Sequence, residues 1–204
     1  MSMIVCLRIV SDEQLEKLYA DPGRVSFFLY GDEFEMQPAK ISFLFKLLSK
    51  LMGVKVVQEE EKKEAVGKKD KWQPPAAGDE MDLDKSWHAL HFIFTDTAWA
   101  GNFPENFLLL GGKEIGSEDV GYGPARGLKS SEVIEVNSFL NGIDEIYLES
   151  KFDPHKLTAA DIYPNIFTTD DNEPLKYTIS YFSTLKKFIA KAAKNNKALI
   201  IYMN

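Results

Sequence analysis

The chain has 204 residues, 45% of them hydrophobic and 27% charged. That size and mixture suit one globular domain that needs neither a disulfide nor a metal to fold. Against 24 Lys+Arg stand 31 Asp+Glu, a formal charge of −7 with a pI near 5.1, which repels phosphate backbones and anionic lipid and argues against nucleic acid as the main partner. A single cysteine, Cys6, excludes an internal disulfide and a thiolate-rich metal site, and 3 histidines leave little room for a histidine-rich one.

The amino terminus carries no basic residue ahead of its apolar run, so it does not read as a secretory signal. Ser2 stands where myristoylation needs glycine. The most apolar segment, Ile41 to Met52, is interrupted by Lys46 and Lys50. It falls short of the ~20 apolar residues of a membrane span. It allows an interfacial helix but reads better as a buried one. The expectation is a cytoplasmic protein without a membrane partner.

In chain order, Met3 to Val10 is a β-branched apolar run that suits a buried strand. Ser11 stands three before Gln14, the spacing of a capping box, and Asp12 and Glu13 suit the positive end of the helix that follows. Leu15, Leu18 and Tyr19 form its buried stripe. Asp21-Pro22 marks another helix start. Val25 to Tyr30 fits helix or strand, and Ile41 to Met52 a helix closed by Gly53. From Gln58 to Glu80, opposed charge blocks and Gln73-Pro74-Pro75 lack apolar periodicity, so a mobile excursion is expected at about 58–80. Trp72 stands out there as an aromatic that pins the loop to the body or to a partner.

Asp82 can cap a helix in which Leu83, Trp87, Leu90 and Phe94 share one face. Phe107 to Leu110 is a short buried run, and Gly121 to Gly127 a turn-rich loop. Ser130 or Ser131 begins a helix buried through Val133, Val136 and Leu140. Asp153-Pro154 and Glu173-Pro174 mark two more helix starts. The last helix buries Leu175, Ile179, Phe182, Leu185 and Ile189 and stops at Asn195-Asn196. Ala198 to Met203 closes the chain as a strand. The whole reads as a single α+β domain over 1–204. Its small central sheet includes the N- and C-terminal strands and is covered by several helices.

The helix expected from Asp82 carries a polar stripe beside its apolar one: Asp84, His88, His91 and Thr95, spaced four, three and four. Asp84 can accept from one nitrogen of His88 and raise its basicity. At the half-buried rim of a core, such an imidazole suits a general base or a ligand grip. The competing reading is that these histidines satisfy backbone carbonyls. Two imidazoles one turn apart can share a zinc, but a third ligand is missing, so no metal is expected. No cofactor is implied either. Arg126 ends the glycine loop, where a stiff turn would aim its planar fork at a carboxylate or phosphate. Alternatively it pairs with an internal carboxylate or caps helix carbonyls. Tyr163, before Pro164, is a more distant member of the same candidate pocket. Cys6 inside an apolar strand should be inert, and no Gly-x-Ser-x-Gly elbow occurs.

Several of these stretches form a pattern: Met1-Ser2-Met3-Ile4, the run Asp82-Leu83-Asp84-Lys85-Ser86-Trp87-His88-Ala89-Leu90-His91, and Gly111-Gly112. To them belong Gly121-Tyr122-Gly123-Pro124-Ala125-Arg126, Ile162-Tyr163-Pro164 and the long last helix before a closing strand. The chain resembles the YfbM-like family, mostly bacterial cytosolic proteins classed as a domain of unknown function. The resemblance weakens over Gly31 to Gly78, which looks like an insertion. It implies an α+β fold and supplies no reaction, cofactor or catalytic residue. Two functional expectations stand side by side. One is a non-catalytic binding module with a protein partner, for which an acidic chain suits a basic one. The other is an enzyme or small-anion binder using Asp84, His88, His91, Arg126 and Tyr163.

Overall fold

The computed structural model describes residues 2–31, 72–167 and 172–204. The helix expected at Ile41 to Met52 and the charge blocks up to Lys71 lie outside them. The chain divides into two compact units, one of Met1–Val25 with Pro74–Asn204 and one of Ser26–Gln73. Val25–Tyr30, left open between helix and strand, closes as a helix (α2). The Trp72 indole N–H donates to the Phe28 carbonyl at 3.3 Å, and its ring lies against Gly31, where a Cβ would sit 3.0 Å away.

The first unit is built on a five-stranded antiparallel sheet in the order β2-β1-β5-β4-β3. Its strands are β1 (Val5–Val10), β2 (Glu80–Asp82), β3 (Lys113–Glu114), β4 (Arg126–Leu128) and β5 (Ala198–Met203). The two terminal strands lie side by side along their whole length, from Val5 opposite Met203 to Val10 opposite Ala198. Both are buried nearly end to end, as their uninterrupted apolar sequences require. The expected N-terminal strand begins two residues late, at Val5.

Side chains alternate across the sheet, so residues directly opposite one another share a face. One face carries Val5, Leu7 and Ile9 of β1 with Leu199 and Ile201 of β5 and Leu128 of β4. Over it lie Trp87, Leu90 and Phe94 of α3 (Trp87–Thr95), and Val133, Val136 and Leu140 of α4 (Ser130–Asn141). Phe182, Leu185 and Ile189 of α7 (Glu173–Lys194) complete this core. Leu175 and Ile179 of α7 are only half-buried. The short helices α5 (Glu145–Lys151) and α6 (Pro154–Ala159) start at Asp144 and Asp153, whose carboxylates take the free backbone N–H groups.

Helix α1 (Asp12–Ala20) opens with the expected box: Ser11 Oγ accepts from Gln14 N–H at 3.1 Å and Gln14 Oε1 from Ser11 N–H at 2.8 Å. It packs on the opposite face of the sheet at Gly127. A Cβ there would fall 2.3 Å from Leu15 Cδ1 and 2.6 Å from the Tyr19 hydroxyl. Only glycine allows α1 to approach so closely. Asp12 does a second job, accepting the backbone N–H and hydroxyl of Ser130 at 2.9 and 2.6 Å, and so caps α4 from a distant part of the chain.

Four expectations change. Asp82 caps no helix: with Glu80 it forms edge strand β2, set against β1 by the pairs Cys6 with Asp82 and Arg8 with Glu80. Glu80, expected as the last residue of the excursion at about 58–80, belongs to that strand. Arg126 belongs to β4, between β5 and β3, rather than to the end of a loop. Phe107 and Leu108 are buried as expected, but Leu110 is half exposed and the run is a series of turns.

Candidate functional site

Helix α3 holds the two candidate histidines. Every residue from Trp87 to Phe94 is buried, so this helix has no solvent side and no rim for a half-buried stripe. Asp84 is not part of it. The Asp82 carboxylate takes the Asp84 N–H at 3.0 Å, and Asp84 adopts φ +41°, a left-handed turn that blocks any helix before Trp87. The Asp84 carboxylate accepts instead from the Tyr177 hydroxyl at 2.7 Å, which in turn accepts the Lys85 N–H at 3.1 Å. Burial, and then the bond to Asp84, push the Tyr177 phenol upward.

His88 is fully buried with both nitrogens engaged. Its Nε2 lies 2.9 Å from the Ala98 carbonyl and its Nδ1 2.9 Å from the Tyr163 N–H. A carbonyl only accepts and an amide N–H only donates, so the ring is the neutral Nε2–H tautomer. A proton on Nδ1 would meet the Tyr163 N–H head-on. Burial holds the His88 pKa below its ordinary value, against smaller opposing pulls from the Ala98 carbonyl and the Asp161 carboxylate. The partnership expected between Asp84 and His88 therefore does not form.

The imidazole is a layer in an aromatic stack. Trp87 lies parallel to it at 4.6 Å between ring centres, and Trp99 leans on it at 4.3 Å. Tyr163 stacks on Trp87 at 5.8 Å. The Trp87 indole donates to the Met3 carbonyl at 3.0 Å, while the Tyr163 hydroxyl accepts the Met3 N–H at 3.2 Å. The stack thus ties α3 and the 163–167 segment to the start of the chain.

One turn on, His91 is also fully buried, and among the described residues neither of its ring nitrogens has a hydrogen-bond partner. Burial pushes its pKa down to about 4, with smaller contributions from His88 and Arg126. The Ala100 backbone favours the proton slightly without making a bond of ordinary geometry.

Arg126 donates to the carbonyls of Leu108 at 2.7 Å, Phe107 at 3.3 Å and Gly111, closing the turns that follow α3. Burial lowers its pKa to about 10, opposed by Glu114, and it stays cationic at neutral pH. One side of it lines an open cleft of about 610 Å³ with Leu109, Leu110, Gly112, Lys113, Glu114 and Gly116. The loop before it is held by Asp119, whose Oδ1 accepts the Gly121 and Gly123 N–H groups at 2.7 and 2.8 Å.

Of the five candidate residues, His88 and Tyr163 meet directly and His91 follows one turn later. Arg126 is felt electrostatically at His91, and Asp84 stands apart with Tyr177. Among the described residues no group of three His, Cys, Asp or Glu could hold a metal ion. Cys6 is buried, and burial, then Asp82, push its thiol up to about 12. The residue that sequence reasoning passed over is Trp99. Its signal was a lone tryptophan in the polar, small-residue stretch Thr97-Ala98-Trp99-Ala100-Gly101.

The sequence profile of one protein family, described as a domain of unknown function (DUF1877), matches residues 1–202. The chain belongs to the DUF1877 family. Among solved structures it is similar to the crystal structure of a protein of unknown function, YfbM from Escherichia coli. The TM-score is 0.60 at 16% identity, covering 98% of this chain and 99% of the other. At that identity the likeness establishes a shared α+β fold. No curated protein matches. No described helix of this DUF1877 chain is long and apolar enough to cross a membrane.

Proposed function

We propose that this DUF1877 chain is a non-catalytic, cytoplasmic protein-interaction module. The observation that carries the reading is the double engagement of His88 by Ala98 and Tyr163, which leaves no lone pair and no proton to offer a substrate. Arg126 is spent in the same way on three backbone carbonyls and Asp84 on Tyr177, while His91 is sealed from solvent. Groups so committed organise the backbone. The formal charge of −7 suits a basic partner.

Two assays test it together: capture from cytosol on the immobilised chain, competed by free chain, and a metabolite screen by thermal shift. The expected result is a saturable, competed protein and no metabolite response. A metabolite shift abolished by His88→Gln at unchanged stability would refute the reading, as would the absence of any competed protein.

A second reading, a small-anion site, is favoured only by the place of Arg126 on the cleft. It expects inorganic phosphate or malonate to raise the melting temperature of the native chain but not of Arg126→Lys.

A further inference from the structure

We infer that Trp99 and the acidic loops beside it form a docking surface for an arginine- or lysine-bearing segment of a partner protein. The inference rests on the interaction-module reading and names its contact. Trp99 is 61% exposed, whereas Trp87 beneath it is fully buried. An exposed indole in a loop is ordinarily free to turn. This one is backed by His88 at 4.3 Å and by Trp87 at 6.3 Å, with the Ala98 carbonyl next to it in sequence fixed by the His88 Nε2–H. A side chain ordered in advance loses little rotamer entropy on binding, which is what makes rigid aromatics effective anchors.

The chemistry of the surroundings selects the partner. His88 is locked as a neutral ring, so no cation occupies the inner face of Trp99 and its outer π-face keeps its attraction for one. Residues 96–112 contain Asp96 and Glu105 and no basic residue, and residues 157–167 contain Asp161 and no basic residue. Asp161 lies near enough to be felt at His88. The two segments share one apolar cluster, in which Ala98 packs beside Leu157, Ile162 and Phe167. Trp99 follows Ala98 and Ile166 precedes Phe167, so both exposed side chains spring from that cluster, Ile166 at 60% exposure. A π-face, a second exposed apolar side chain on the same cluster and the carboxylates of Asp96, Glu105 and Asp161 in those segments fit a cationic side chain flanked by an aliphatic one.

The probe is a dye-labelled, end-capped peptide of alternating arginine and leucine, titrated by fluorescence anisotropy at low and physiological salt. Saturable binding is expected. Trp99→Ala should weaken it about tenfold or more, Trp99→Phe should retain most of it, and Asp161→Asn should weaken it a few-fold. A peptide with glutamate in place of arginine should not bind. If Trp99→Ala lowers the melting temperature, Trp99→Leu takes its place, keeping apolar packing while removing the π-face. Equal binding by the Trp99 variant, equal binding of the glutamate peptide, or no saturable binding overturns the assignment. In the capture assay, a partner held equally by Trp99→Ala overturns this surface and leaves the interaction reading standing. Failure of the native chain to capture any competed protein sinks that reading instead.

Discussion

Replacing His91 by leucine should make the protein less sensitive to acid. The imidazole is fully buried and has no hydrogen-bond partner among the described residues, and its pKa falls from an ordinary 6.5 to about 4. The unfolded chain therefore takes up a proton near its ordinary pKa, while the folded chain refuses it until about pH 4. The stability this ring contributes is fully present above that ordinary pKa. It is lost as pH falls toward the folded value, at about 1.4 kcal/mol per pH unit. Between neutrality and pH ~5 the loss from His91 amounts to roughly 2 kcal/mol. His88 shifts in the same direction, so the informative quantity is the difference between variant and native chain. The assay is urea unfolding followed by tryptophan fluorescence at pH ~7.5 and ~5. His91→Leu should lose roughly 2 kcal/mol less than the native chain between the two. At pH ~7.5 it should be neutral or more stable by about 1 kcal/mol, because an unsatisfied buried polar group has been removed. An equal acid loss in both proteins, or a destabilisation above about 3 kcal/mol at pH ~7.5, would refute the reasoning.

Four further outcomes are expected. His88→Phe fills the same layer of the stack but strands the Ala98 carbonyl and the Tyr163 N–H. It should cost roughly 2–6 kcal/mol in urea unfolding, about 1–3 for each orphaned group. In the native chain, nitrogen NMR of His88 at neutral pH should show a protonated Nε2 and a bare Nδ1. Gly127→Ala forces a Cβ into Leu15 and Tyr19 and should destabilise by about 1–3 kcal/mol, measured in the same way. Cys6, with its thiol pushed up to about 12, should resist a thiol reagent at pH ~8 and react at the rate of unfolding, so that adding urea accelerates labelling.

How much of this was readable in advance depends on the range of the interaction. The Ser11 box, the Pro154 and Pro174 helix starts and the terminal strand Ala198–Met203 stand where local signals put them. Each rests on groups a few residues apart. Asp82 misled because an aspartate ahead of an apolar run looks the same whether it caps a helix or an Asx turn. The competing partner, β1, lies more than seventy residues earlier in the chain. Arg126 misled likewise: β5 draws it into the sheet across more than seventy residues.

For the candidate site the division is sharper. Composition and residue order were enough to make the chain an α+β protein with both terminal strands in its sheet, because β-branched runs and helix periodicity are properties of neighbours along the chain. They could also set His88 and His91 on one helix. Whether those rings are free or committed turns on the Ala98 carbonyl, the Tyr163 N–H and a hydrophobic surround that leaves α3 no face toward water. Those groups come from separate segments, and a proton's place on a ring is set by donors and acceptors in space. Folding alone brings them within 3 Å, and it is folding that lifts Trp99 from an unremarkable loop residue to an exposed, rigidly backed aromatic face.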